Sequence, residues 1–179
     1  FRNCTSLEEV VLPKSEDLHI YGYAFRNTPY QKARQKEGTP FILNGWVVDG
    51  SSCKGDVHLS GIKGISAFAF YLNHEITKVV IDEGCEVIDD NAFRYCLALK
   101  EVTLPHSMRE FGDSLFRNCH QLSKINIPEG IETIPQDAFD SCTSLTALTL
   151  PRSLKEIESG AFDNCVKLRK LEIDPKVKV

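Results

Sequence analysis

The chain has 179 residues, 42% of them hydrophobic, and a net charge of −4 from 21 Lys and Arg against 25 Asp and Glu. That balance leaves no basic stripe able to neutralise a phosphate backbone, so nucleic acid is excluded as an expected partner. No apolar run approaches the roughly 20 residues that cross a bilayer, so no membrane span is expected either.

From its N-terminus the chain opens in a pattern that returns along its length. Phe1 is followed by Cys4, Leu7, Val10 and Leu12. Later the pairs Phe93 and Cys96, Phe116 and Cys119, Phe139 and Cys142, and Phe162 and Cys165 each come 23 residues after the last. A fixed period of this size marks a solenoid, in which one short unit cannot bury its apolar face alone and must stack on the next. The apolar positions nine and eleven residues after each Phe (Val102 and Leu104, Ile125 and Ile127) lie two apart, so they face one side of an extended strand. One short parallel strand per repeat of about 23 residues follows. Pro13, Pro105, Pro128 and Pro151 close these strands, with Asp82 and Asp174 in the same place in two other copies. Two more inward positions come next, as Ile131 and Ile134 or Leu154 and Ile157. A small residue then precedes the next Phe (Ala24, Ala69, Ala92, Ala138, Ala161, with Leu115 breaking the row), which suits a tight helical or 3₁₀ turn on the back of the coil.

Written out, a repeat reads NAFRYCLALKEVTLPHSMREFG or DAFDSCTSLTALTLPRSLKEIE, which resembles the BspA-like, treponemal-type class of leucine-rich repeats. Six copies keep all the apolar positions, and the irregular stretch from Ala24 to Phe70 is similar to the segment that interrupts the regular coils in many members of that class. The resemblance implies an α/β solenoid of the right-handed leucine-rich-repeat kind, about seven coils long. It also implies a cell-surface or secreted protein of a bacterium, or of a protist with similar repeats, engaged in adhesion to host proteins, matrix or other cells. The expected organisation is one domain over 1–179, with regular repeats at 1–30 and 57–179 and an irregular insertion at 31–56. The chain opens and stops inside the repeat, so it is expected to be a piece of a longer protein.

The insertion is legible in part. Gln31 to Gly38 is charged, favourable to helix and ends in glycine, which reads as a short exposed helix or loop. Phe41-Ile42-Leu43, Asn44-Gly45 and Trp46-Val47-Val48 read as a β-hairpin, because both central residues of a type I′ turn need positive φ. Trp46, the only tryptophan, stands near Phe41 and Tyr30 in sequence. Its plain role is to seal the hairpin against neighbouring coils; its functional role would be an aromatic anchor for a protein or a glycan.

Cys4, Cys96, Cys119, Cys142 and Cys165 share one repeat position, with Thr28 and Asn73 in that place in two further copies. Stacking explains an inward row of free thiols, since parallel side-chain vectors disfavour bridges between coils. Cys53 and Cys85 stand outside the row, and a bridge between them is the alternative the spacing leaves open. No C-x-x-C occurs and the five histidines show no ligand spacing with the cysteines, so no metal site is expected. No catalytic residue and no cofactor are assigned. Asp89, Asp90 and Asp137 fall where Asp caps a turn, and phosphate-loop, dinucleotide and Gly-x-Ser-x-Gly motifs are absent from the sequence.

The strand positions that point outward offer the remaining candidate site. They are Glu9 and Val11, Lys78 and Val80, Glu101 and Thr103, Lys124 and Asn126, Ala147 and Thr149, and Lys170 and Glu172. Their charges alternate from coil to coil. Mutual neutralisation explains that plainly, and an extended polar surface for a protein partner is the functional reading. Six strands would span on the order of 25–30 Å, enough for one modest interface. The expected function is a non-catalytic binding module whose partner is a host matrix or cell-surface protein, with a glycan as second class. A structural spacer presenting another domain is the alternative.

Overall fold

A computed structural model describes every residue of the chain except 14, 16 and 17. In chain order its elements are α1 (Pro29–Arg34), β1 (Phe41–Leu43), β2 (Trp46–Asp49), β3 (Gly55–Leu59), β4 (Gly64–Ile65), β5 (Ile76–Ile81), β6 (Val87–Ile88), β7 (Glu101–Thr103), β8 (Glu110–Phe111), β9 (Lys124–Ile125), β10 (Thr133–Ile134) and β11 (Glu156–Ile157). They build a parallel β-solenoid. Of the six expected repeat strands, those at Val79, Val102 and Ile125 appear, as β5, β7 and β9, and β3 joins them in a four-stranded parallel sheet, β3-β5-β7-β9; no strand forms at Val10, Leu148 or Leu171. The apolar pair beyond the proline forms a second strand that the pattern did not announce. These strands make a ladder of their own, β1-β2-β4-β6-β8, and a separate pair, β10-β11.

The back of each coil is neither α nor 3₁₀. Residues two before and two after the Phe take left-handed backbone: Asn91 (φ 57°) and Tyr95 (62°) around Phe93, Ser114 (54°) and Asn118 (62°) around Phe116. A continuous helix cannot contain such residues, and each non-glycine one costs about 1–2 kcal/mol. The offset is a third set of inter-coil hydrogen bonds. Ser114, Phe116 and Asn118 donate their N–H groups to the carbonyls of Gln136, Ala138 and Asp140, each at 2.8 Å. Asparagine recurs at these positions (Asn3, Asn27, Asn91, Asn118, Asn164) because its short polar side chain tolerates the left-handed region.

Inside, the phenylalanine rings form one column. Phe70, Phe93, Phe116, Phe139 and Phe162 stack nearly parallel at 4.9, 5.5, 5.5 and 5.4 Å. Beside them the thiols of Cys96, Cys119, Cys142 and Cys165 donate to the carbonyls of Phe70, Phe93, Phe116 and Phe139, at 3.1–3.3 Å. Each cysteine thus serves a backbone acceptor of the preceding coil, and all seven thiols are free. Cys4 departs from the buried row and is exposed.

On the edges, polar clamps repeat across coils. Glu83 accepts from the N–H groups of His106 and Ser107, and Glu129 from those of Arg152 and Ser153. The next residues, Gly84 (φ 103°) and Gly130 (106°), donate to the hydroxyls of Ser107 and Ser153. A side chain there would meet a φ that only glycine accepts readily.

The insertion proves more regular than its sequence. Thr28 caps α1, its hydroxyl accepting from the Gln31 N–H at 3.2 Å and donating to the Phe25 carbonyl at 2.6 Å. The helix is shorter than expected, and Tyr30 and Gln31 are buried, so it is docked and not a free surface loop. The hairpin forms as expected on Asn44 (φ 51°) and Gly45 (φ 79°). Its second strand then joins the solenoid, pairing in parallel with β4 through Trp46↔Gly64 and Val47↔Ile65. Gly50 follows in the place of a Phe, with its N–H bonded to the Ala69 carbonyl as the Phe70 N–H is to that of Ala92. Three residues on, Cys53 occupies the cysteine position after all: Asn73 Nδ2 donates to the carbonyls of Gly50 and Cys53 at 2.9 Å. The pattern hid this coil because glycine replaces the ring. A Cβ on Gly50 would stand 2.2 Å from the Phe70 ring. The core is divided at this point. One cluster runs from Val47 to Ala161, and a smaller one holds Ile20, Phe25, Tyr30, Phe41 and Val48.

Two outcomes are expected. Phe93→Ala removes the middle of the column and should lower unfolding free energy by about 3–5 kcal/mol in a denaturant titration, with a smaller loss for the half-buried terminal ring of Phe162. Burial pushes the Cys53 and Cys85 thiols up to about 12 and that of Cys165 to about 11. A thiol held protonated in the fold stabilises it below the ordinary thiol value and ceases to do so as pH rises through the folded one. Burial also sets the order of thiol labelling at neutral pH: exposed Cys4 should react at once, and buried Cys96, Cys119 and Cys142 only on unfolding.

Candidate binding surface

The outward positions of the strand sheet form a polar row, but not the row of six that the sequence implies. Asp56, Lys78, Glu101 and Lys124 are register neighbours on β3, β5, β7 and β9. Glu101 lies between two lysines, 3.4 Å from Lys78 Nζ and 2.7 Å from Lys124 Nζ. Hydrogen bonding from Lys124 is the main cause holding its carboxyl below the usual range, against a smaller opposing effect of burial. The alternation thus neutralises itself, as stacked parallel strands of opposite charge favour.

Glu9 and Val11 do not belong to this row. Both are exposed, no paired strand forms around them, and the coil built by the insertion makes β3 the sheet's first strand. In their place stand Asp56 and His58, which sequence reading missed. Asp56 accepts from the Thr77 hydroxyl at 2.9 Å, and His58 Nε2 lies 2.7 Å from Asp82. The alternation of GDVHL, with Val57 and Leu59 inward, was the available signal.

At the other end the sheet opens. Val102↔Ile125 is its last pair toward the C-terminus, and beyond it Ala147↔Lys170 is an isolated bridge. No backbone pairing among the described residues joins Lys124–Ile127 to Ala147–Leu150. On the other side of β9, Asn126 Oδ1 accepts from the Leu104 N–H at 2.8 Å and its Nδ2 donates to the Leu104 carbonyl at 2.9 Å, so an amide side chain replaces the strand's backbone where the β7–β9 pairing ends. Between the two segments lies a shallow concavity lined by Lys124, Asn126, Ala147, Thr149, Lys170 and Glu172. It therefore gathers six of the expected outward residues. Lys170 and Glu172 pair with each other at 2.8 Å. Thr103 is exposed on β7, outside this concavity.

Trp46 is half-buried and packs against the smaller core in which Phe41 and Tyr30 are buried. Its ring lies over Gly64, where a Cβ would come within 2.5 Å, and stacks on His19 at 3.9 Å. His19 Nε2 in turn lies 2.7 Å from Asp89. The ring therefore packs a hairpin onto its neighbours.

A nucleophilic cysteine needs a thiolate favoured by its surroundings, whereas Cys119 and Cys142 are enclosed in the core and desolvation raises them well above the ordinary thiol range. No helix among the described residues is long and apolar enough to cross a membrane.

No curated protein is significantly similar to the chain in sequence. Among solved structures, a leucine rich repeat protein of T. pallidum is 36% identical over 60% of this chain and 50% of its own, with a TM-score of 0.58. A leucine-rich repeat protein from Eubacterium ventriosum covers 84% of this chain and 43% of its own at 21% identity and a TM-score of 0.66. A leucine rich cell surface protein from Faecalibacterium prausnitzii covers 83% and 56% at 17% identity and 0.56. The latter two share the fold, and the chain spans about half the length of each of the three proteins. The BspA type leucine rich repeat region matches in six copies over residues 1–43 and 63–179, leaving out the hairpin turn, β2 and the coil it founds. The chain belongs to the BspA-type leucine-rich repeat family.

Proposed function

We propose that this chain is a non-catalytic binding module of a surface-exposed or secreted protein, and that it takes a protein partner in the concavity at the open end of its strand sheet. One observation carries the reading: the parallel ladder stops between Lys124–Ile127 and Ala147–Leu150, exposing polar side chains where the other coils are zipped. Repeat solenoids use their concave faces in this way, and the surface location of one structural relative supports the setting. Adhesion to a host matrix or cell-surface protein is the role this setting favours. The spacer reading draws on a different fact, the self-neutralised row Asp56, Lys78, Glu101 and Lys124, which offers a partner little unsatisfied charge.

The two readings separate on one experiment. Immobilised chain is exposed to a panel of purified extracellular-matrix proteins, and the binders are remeasured with the combined Lys124→Ala, Thr149→Ala and Lys170→Ala variant. A binding module loses about tenfold or more in affinity while its unfolding midpoint stays within error, since exposed side chains contribute little to stability. A panel that binds nothing, or binds the variant equally, leaves the spacer.

A further inference from the structure

A second surface lies on the back of the coils, away from the strand sheet and independent of the reading above. The left-handed positions flanking each Phe are filled by Asn, Asp, Ser or Gly in most copies, but they carry Phe68 (φ 61°), Leu72 (61°) and Tyr95 (62°) on two adjoining coils and Tyr23 (61°) on the Phe25 coil, beyond the coil of Gly50. Bulky side chains in this region are the ones the backbone tolerates least. Their own burial does not explain them, since Phe68 remains 38% and Leu72 49% exposed. They collect with Tyr71 into one patch. Tyr23 stacks loosely on Phe68 at 6.4 Å, Phe68 meets Tyr71 edge-on at 5.6 Å and 87°, and Tyr71 meets Tyr95 at 6.0 Å and 78°.

The charge around these rings is positive in a chain whose net charge is −4. Arg26 lies over the Tyr23 ring at 4.4 Å and Arg2 at 5.7 Å. Among the described residues neither arginine forms an ion pair. Stacking occupies the face of a guanidinium and leaves its edge N–H donors for a carboxylate. The nearby carboxylate, Asp49, is buried and already engaged by Gln31 Nε2 and the Ser51 N–H, each at 2.9 Å. Burial also pushes the Tyr23 hydroxyl up to about 12, so the ring stays neutral beneath the arginines.

The geometry points to a docking site for an acidic peptide segment that carries an apolar side chain. The perpendicular rings of Phe68 and Tyr71 form a corner with Leu72, which accepts a side chain, whereas a sugar ring calls for a flat face bordered by acceptors for its hydroxyls. The arginine edges take the carboxylate. Apolar contact and charge complementarity thus come from adjacent groups on one rigid surface.

The test is selection from a phage-displayed library of random peptides against the full chain. Two altered chains serve as controls: Phe68→Asn with Leu72→Asn, and Arg26→Glu. Asparagine suits the left-handed backbone, so the first variant keeps the fold while removing the corner. Enriched peptides should pair Asp or Glu with Leu, Phe or Pro, bind either variant about tenfold or more weakly, and weaken as salt is raised. Neutral or basic consensus sequences, binding unchanged in both variants, or no enrichment at all would overturn the proposal. So would retention of a uronic-acid glycan or of phosphatidylserine vesicles by the wild-type chain alone, without any peptide. If the double-asparagine variant unfolds, the Arg26→Glu chain decides the outcome.

Discussion

Everything in this molecule hangs on the separation between one coil and the next. Phenylalanine rings 4.9–5.5 Å apart match the distance at which parallel strands exchange hydrogen bonds, about 4.8 Å. A ring in contact with its neighbours therefore brings the two strand sheets and the back turns into register together. The thiol beside each ring bonds a carbonyl of the coil before, so the apolar column and a polar bond enforce the same spacing. Because each coil touches only its neighbours, stability is the sum of such steps, and a defect is local.

The defect at Gly50 shows what the constraint allows. There the ring is lost, yet the N–H and the carbonyl of Gly50 keep the bonds of a regular coil. Tyr30 and Phe41 are delivered by α1 and the hairpin to pack beside Phe25 instead, so the core divides into two clusters without interrupting the backbone ladder. Trp46 covers the seam by lying on Gly64. The insertion is best understood as a coil rebuilt from irregular parts.

The two surfaces proposed for binding lie where stacking leaves something over. On the strand face most charges pair across coils, and only beyond β9 does the ladder open. On the back, the coils from Phe25 onward that carry a Phe place a residue on each side of it in left-handed backbone, and what fills these positions varies. Asparagine there is a local solution; the aromatic and aliphatic side chains at Tyr23, Phe68, Leu72 and Tyr95 are not, and they stand beside Arg2 and Arg26, which form no ion pair among the described residues.

The repeat was legible in the sequence because its signals are local and recur: the ring, the thiol, the apolar pairs and the proline each sit at a fixed offset, and Asn44-Gly45 specifies its own turn. Those offsets determined the solenoid, the inward cysteines from Cys96 onward and the alternating row through Lys78, Glu101 and Lys124. The second strand of each coil was hidden because two residues are too few to show a period. The register of Cys53 was hidden because its partner is a glycine. Which residues become neighbours across the insertion, Asp56 instead of Glu9 beside Lys78, depends on how many backbone steps the irregular segment takes to close a coil. No local propensity encodes that number. The opening between Ile125 and Ala147 and the convergence of Tyr23 with Phe68 are likewise contacts between distant segments, and only the folded chain decides them.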